Sequence, residues 1–433
     1  MIQYQKSLSV KYETDVFVAG GGPAGLTAAV AAARGGKKVF LAEASGMFGG
    51  LATTALVPAF APFTDGVNVL ASGIGLELRN AAAPDLPVST YWTPIRAEAL
   101  KRACDTLAVE SGIEFSFFTR VCDVIVKNGH VEYVVCDGKS GLFAVKAAVY
   151  IDCTGDGDLC AAAGASFSLG DENGEVMPST LCSQWANIDF SVRKISDDSK
   201  LDEAIRDGVF SIPDRHLPGM QIADRASGVG GGNISHTYVT TDPTDEVSLT
   251  KGMVDSRARL PEYEAYYKKY LKGYEHMTLV NTGSVLGVRE SRRILCDYTL
   301  NVDDFLSRAV FEDEIGRYCY PIDIHRKYAT PEEYEAFIKE YFEKYRYKNG
   351  ESYGIPYRSL VVRDLDNVLV AGRCMGVDKP MQASIRVIPG CYITGQAAGA
   401  AAAIAVQTGD IRKVETDALK KALISLGAYL PNA

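Results

Sequence analysis

Apolar positions in the first fifty residues fall into two short runs with a small-residue stretch between them. Val16-Phe17-Val18-Ala19 stops at glycines, alanines then lead to Arg34, and Val39-Phe40-Leu41-Ala42 ends at Glu43. Short apolar runs bounded by glycine predict buried strands, and the small-residue stretch predicts a helix, so the order is β-α-β. Further on, the pattern predicts a helix at Leu70–Asn80. Tyr91-Trp92-Thr93-Pro94 then leads into an amphipathic helix at Arg96–Gly112 and a strand at Ile113–Phe117. Strand-like runs follow at Val121–Val126, Val131–Cys136 and Leu142–Val145, with the hairpin turns Asn128-Gly129 and Asp137-Gly138 between them. These form a three-stranded meander. The meander runs directly into Val149-Tyr150-Ile151-Asp152-Cys153-Thr154-Gly155-Asp156-Gly157-Asp158, an apolar strand ending in a Gly/Asp loop.

From about residue 165 to 350 the β-α alternation disappears, which reads as a second domain inserted into the first. Ser227–Asn233 is expected as a glycine loop, with Gln221–Arg225 before it a poor strand. Thr330-Pro331-Glu332-Glu333 is a capping box with proline at the first helical position. The helix it opens places Tyr334, Phe337, Ile338, Tyr341, Phe342 and Tyr345 on one face. The regular pattern resumes with a buried strand at Asn367–Ala371 and a helix at Pro389–Gln407, where Cys391, Gly395, Gly399 and Ala403 recur every four residues as a tight packing face.

The glycines after the first run are spaced G-x-G-x-x-G. Gly20 permits the tight strand-to-helix turn, Gly22 lets backbone approach a pyrophosphate, and Gly25 lets helix and strand pack closely. First-turn amides then face the phosphates with the helix dipole behind them. Glu43, at the end of the second strand, stands where a ribose diol is held. The glycine-rich stretch Gly46–Gly50 follows in place of a helix and allows backbone to approach a flat ligand.

Composition narrows the reading. The chain has 433 residues, 47% hydrophobic and 23% charged, as in a soluble enzyme, and its net charge of −9 disfavours a nucleic-acid surface. Ten cysteines without a C-x-x-C pair suit a reducing compartment and exclude zinc-ribbon spacing, so the cytoplasm is expected. No apolar run has the length and freedom from charge expected of a membrane span.

Together with Gly49-Gly50, the Cys153–Asp158 loop, Gly287-Val288-Arg289-Glu290-Ser291-Arg292-Arg293 and the closing run Val368–Gly399, the glycine motif resembles the FAD-dependent oxidoreductases of the glutathione reductase-like fold. The similar branch is distantly related to fumarate reductase flavoprotein subunits. The resemblance implies an α/β fold: a doubly wound parallel-sheet FAD domain with a β-meander crossover, split between residues 1–165 and 351–433 around an inserted α+β substrate-side domain at 166–350. It implies that Gly20, Gly22, Pro23, Ala24 and Gly25 hold the pyrophosphate of FAD and Glu43 the adenosine ribose. Gly49, Gly50 and Ala52 would line the flavin, the Val121 backbone would meet adenine, and Thr154, Gly155 and Asp156 would close over the diphosphate. Arg373 stands where many relatives carry an aspartate reaching the ribityl chain.

For chemistry on a small-molecule substrate, the resemblance puts Arg386 where a substrate carboxylate is gripped or a proton passed. Alternatively it is a structural arginine paired with Asp156 or Asp378. His236, one of five histidines, is either an acid-base group following a flexible loop or a packed side chain. Arg289, Arg292 and Arg293 are expected on a helix, binding substrate or pairing with Glu290 or acids near Asp303. Tyr91 and Trp92 either cover the flavin or pack in the core. No cysteine pair follows Gly49-Gly50, no second β-α-β glycine motif offers a nicotinamide site, and the flavin loops contain no histidine for a covalent link. The reading is an FAD-dependent oxidoreductase moving a hydride between a small organic substrate and flavin N5, its electron donor or acceptor unassigned, with no metal, nucleic acid or membrane expected. The alternatives are a flavoprotein of this fold acting on RNA, or one that binds flavin without turnover.

Overall fold

The computed structural model describes residue 2 and residues 5–192, 200–215, 217, 219–328 and 330–432. β1 (Val10–Ala19), α1 (Pro23–Arg34) and β2 (Val39–Ala42) form the β-α-β unit, with the two strands parallel. α2 (Ile74–Ala82) and α3 (Ala97–Glu110) follow, and β3 (Glu114–Ser116) adds to β2 in parallel. β4 (Arg120–Lys127), β5 (His130–Gly138) and β6 (Gly141–Asp152) complete the sheet in the order β3-β2-β1-β6-β5-β4.

The meander's third strand and the strand expected to follow it at Val149 are one element, β6, of 12 residues. Its first half pairs antiparallel with β5, Val145 opposite Val134, while its length runs parallel to β1, Val149 opposite Val16. The apolar pattern weakens at Lys146, which is solvated and pairs with Glu13 of β1 at 3.0 Å. That lysine hides a strand whose continuity is set by β1.

β7 (Ser183–Ala186), β8 (Met220–Asp224), β9 (Val229–Gly232) and β10 (Thr278–Thr282) form an antiparallel sheet in the order β8-β9-β7-β10. The glycine run is therefore a strand, and so is the segment before it. A Cβ on Gly231 would lie 2.6 Å from Pro58 Cβ, and one on Gly230 would lie 2.9 Å from Ile188 Cδ1. Close packing excludes side chains there, which strips the strand of its usual sequence signal. α4 (Glu246–Tyr270) contributes Leu260, Tyr263, Tyr266 and Tyr267 to a second core with Trp185 and Met277. The fully buried members of that core run from Leu181 to Val288, whereas Ile294, Cys296, Leu300 and Phe305 pack into the first core.

α5 (Pro331–Glu343) opens with the expected box, Thr330 Oγ1 accepting from the Glu333 amide while the Glu333 carboxylate accepts from the Thr330 amide. None of its residues is buried. β11 (Val368–Val370) lies parallel to β6, returning the chain to the first sheet. α6 (Lys379–Ile385) and α7 (Ile388–Ala405) meet at 94°. Among the described residues no single helix is long and apolar enough to cross a membrane. The small-residue face of α7 lies on α1, where a Cβ on Gly395 would sit 2.1 Å from Ala24 O and one on Gly399 would sit 2.0 Å from Ala28 O.

Candidate cofactor and substrate site

A continuous cavity of about 770 Å³ opens where β1, β6 and the N-termini of α1 and α7 converge. Gly20, with φ +90°, makes the turn, and a Cβ there would sit 2.7 Å from Cys153 O. One on Gly25 would lie 1.7 Å from Gly20 O, so Gly25 serves strand-helix contact, behind the cavity wall. Gly22 caps α1, and Pro23 is at its first helical position. The Ala24 and Gly25 amides belong to the first turn, which has no intrahelical acceptors. Gly50, with φ +53°, faces Gly22 so closely that a Cβ would come within 2.9 Å of Gly22 Cα. Gly49, with φ +99°, shapes that loop from behind, and Ala52 lines the cavity.

Glu43 lines the same end and clamps the loop. Its Oε2 accepts from the Gly21 amide at 2.7 Å and its Oε1 from the Ser45 amide at 2.6 Å. Thr154, Gly155 and Asp156 form the opposite lip. Thr154 is held by Asp152 Oδ1, which accepts from its amide and its hydroxyl. Arg373 also lines the cavity; it pairs with Asp156 at 2.9 Å and donates to Ser291 Oγ at 3.1 Å. Val121 lies within β4 opposite Cys136 and does not line this cavity.

Beyond the glycines the cavity widens into a chamber. Arg386, at the end of α6, donates from Nη2 to the Asp323 carbonyl at 3.3 Å, and its buried Nε has no hydrogen-bond partner among the described residues. Its alternative partners do not engage it: Asp156 pairs with Arg373, and Asp378 caps α6 and accepts from the Val302 amide. Burial pulls the Arg386 guanidinium below its usual range, with Asp323 acting in the opposite sense.

Arg289 faces the chamber too, donating to Pro178 O at 2.7 Å, to Thr180 Oγ1 and to Asn233 Oδ1 at 3.1 Å. Burial, then the neighbouring Arg386, pull it down to about 10. The expected helix of arginines is extended chain ending in a short strand at Arg293–Ile294, because each guanidinium is drawn to a different partner. Arg292 pairs with Asp158 at 2.8 Å, and Arg293 pairs with Glu290 at 2.7 Å.

His236 lies in a short buried strand rather than after a flexible loop. Its Nδ1 is 3.2 Å from Asp214 Oδ2, its Nε2 3.1 Å from Arg289, and its ring meets His325 edge-on at 5.6 Å. It is thus one layer behind the chamber wall, where His325 stands. His325 Nε2 lies 3.2 Å from Asp323 Oδ2, which also accepts from the Tyr320 hydroxyl at 2.9 Å. The sequence held one signal for this pair: Asp323 and His325 stand two apart, a spacing that shares a face wherever the chain is extended. Trp92 lines the chamber, while Tyr91 is 80% exposed and packs in no core.

Three properties of this cavity fit FAD: glycines at Gly20 and Gly50 that leave no room for a Cβ, a carboxylate beside them, and two helix N-termini opening onto it. The solved structures that resemble this chain do so at low identity. A flavin-dependent brominase is 13% identical with a TM-score of 0.50, the match covering 95% of this chain and 83% of that one. A geranylgeranyl bacteriochlorophyll reductase-like protein from Thermoplasma acidophilum is 12% identical at a TM-score of 0.48, covering 96% and 83%. At such identities the likeness speaks for the fold alone. No functionally curated protein matches the sequence. The family model described as FAD dependent oxidoreductase matches residues 15–423, nearly the whole chain, and the protein accordingly belongs to the FAD-dependent oxidoreductase family and uses FAD.

Proposed function

We propose that this enzyme exchanges a hydride between flavin N5 and a carbon of a small organic anion held in the chamber. One observation carries the reading: the glycine-lined end runs without interruption into a chamber where Arg386 keeps a buried, unpartnered Nε. A guanidinium donor without a partner in a desolvated wall is suited to a carboxylate, which accepts in the plane of the fork. FAD, when bound, supplies the two-electron chemistry that no side chain can.

The residues present have separable tasks. Gly20, Gly22, Pro23, Ala24 and Gly50 give the pyrophosphate a close backbone approach, with Thr154, Gly155 and Asp156 on the far lip. Glu43 clamps the loop and retains lone pairs for a ribose hydroxyl. Arg373, neutralising Asp156, stands where a ribityl chain would pass. The N-terminus of α7 offers its partial positive charge to the ring. Arg386 orients the substrate. His325, its ring oriented by Asp323, takes or gives the proton that accompanies hydride exchange. His236 then supports Arg289 and does not itself meet substrate.

We assign residues 166–350 as the substrate-side domain, since they supply Arg289, Asp323, His325 and the aromatic face of α5. Residues 1–165 and 351–433 supply the cofactor end and lend Trp92 and Arg386 to the chamber. Ten unpaired cysteines suit the cytoplasm. The acidic charge of −9 favours a small-molecule substrate over RNA.

Arg386→Lys tests the reading. The lysine keeps the charge and loses the planar fork, so the rate of flavin reduction by substrate should fall while FAD content is unchanged. A normal rate per bound FAD removes Arg386 from the substrate site.

A further inference from the structure

We propose that the chamber takes an anion with a flat, unsaturated ring, in its simplest form an aromatic carboxylate; this rests on the chamber being the substrate site. The wall around Arg386 is aromatic. Trp92 meets Tyr320 edge-on at 5.7 Å, and the Tyr320 hydroxyl donates to Asp323, whose carbonyl holds Arg386. α5 adds Phe337, Tyr341 and Phe342 to the same wall, Tyr341 and Phe342 lying edge to face at 5.4 Å. Trp92 is 45% exposed and Phe342 54%, yet both line the chamber. The helix buries none of its residues outright: Phe337 packs on the buried Tyr328 ring at 4.8 Å, while Phe342 stays open beside the chamber.

The charges specify one anionic group. Arg386 has a donor to spare, whereas Arg289 spends its terminal nitrogens on Pro178, Thr180, Asn233 and His236. A dicarboxylate would leave its second charge against aromatic rings, whose faces are negative and repel anions. A ring carrying a single carboxylate puts its charge on Arg386 and its faces and edges on Trp92 and α5.

The test titrates the FAD-loaded enzyme with sodium benzoate, cyclohexanecarboxylate and acetate, following the flavin absorbance spectrum and the melting temperature. Benzoate should bind about tenfold or more tighter than acetate, and tighter than the saturated ring, because aromatic contacts add to area burial. Trp92→Ala and Phe342→Ala remove part-exposed side chains; each should weaken benzoate several-fold and leave acetate unchanged. Equal affinity for benzoate and cyclohexanecarboxylate would overturn the aromatic class, as would variants that weaken all three alike. If Arg386→Gln leaves every affinity unchanged while the aromatic variants still weaken benzoate, the anion site of the proposed function fails and the aromatic wall stands. Binding of none of the three probes overturns both.

Discussion

Glu43 has a role in the fold that the structure gives it and a role at the cofactor that is proposed. The sequence placed it at a ribose; the structure adds that both its oxygens accept backbone amides of the glycine loops. Glu43→Ala should therefore weaken FAD retention, the loss of charge-assisted hydrogen bonds costing about 1.5 to 3 kcal/mol, or about ten- to more than a hundredfold in affinity. FAD affinity measured by fluorescence titration of the apoprotein checks this, and an unchanged value removes Glu43 from the site. His325 is the complementary case, a residue the sequence did not single out because its neighbours come from elsewhere in the chain. His325→Gln should retain FAD and the fold while slowing flavin reduction and removing one group from its pH dependence. A pH profile identical to that of the wild type would reassign the proton to another group.

At the level of elements, what was legible depended on how local the cause was. The β-α-β unit, the capping box of α5 and the small-residue face of α7 are written in adjacent or helically spaced residues, and all three are present. The continuity of β6 was not legible, because a solvated Lys146 interrupts its pattern and pairing with β1 holds it straight. Nor was β9, whose Gly231 admits Pro58 from a distant segment, nor β8, whose strand shows only through its pairing with β9. The contact between α7 and α1 yields a prediction at this scale. Gly395→Ala forces a Cβ to within 2.1 Å of a backbone oxygen, so the helices must part. Overpacking of this kind costs about 1 to 3 kcal/mol. Since α1 carries the cofactor turn, thermal melting should shift down and FAD content should fall with it; an unchanged melting temperature would mean that the two helices do not pack as described.

Across the whole molecule, the ten cysteines offer a check on packing that needs no substrate. Eight are buried, Cys319 is partly so, and Cys122 is exposed. Burial pushes the thiols of Cys104, Cys136, Cys182, Cys319 and Cys391 up to about 12, leaving them protonated and unreactive at mildly alkaline pH. A thiol reagent should find one fast-reacting cysteine in the native enzyme, lost in Cys122→Ser, and all ten after denaturation. Several fast thiols would contradict the core as described. A cofactor cradle that opens into an anion-binding chamber is tested most directly by the anaerobic absorbance spectrum of the purified enzyme as small organic acids are added. The expected result is a bound FAD spectrum that an organic acid bleaches in the wild type and leaves oxidised in Arg386→Lys of equal FAD content. An FAD reduced only by neutral or cationic donors, at the same rate in both proteins, would contradict it.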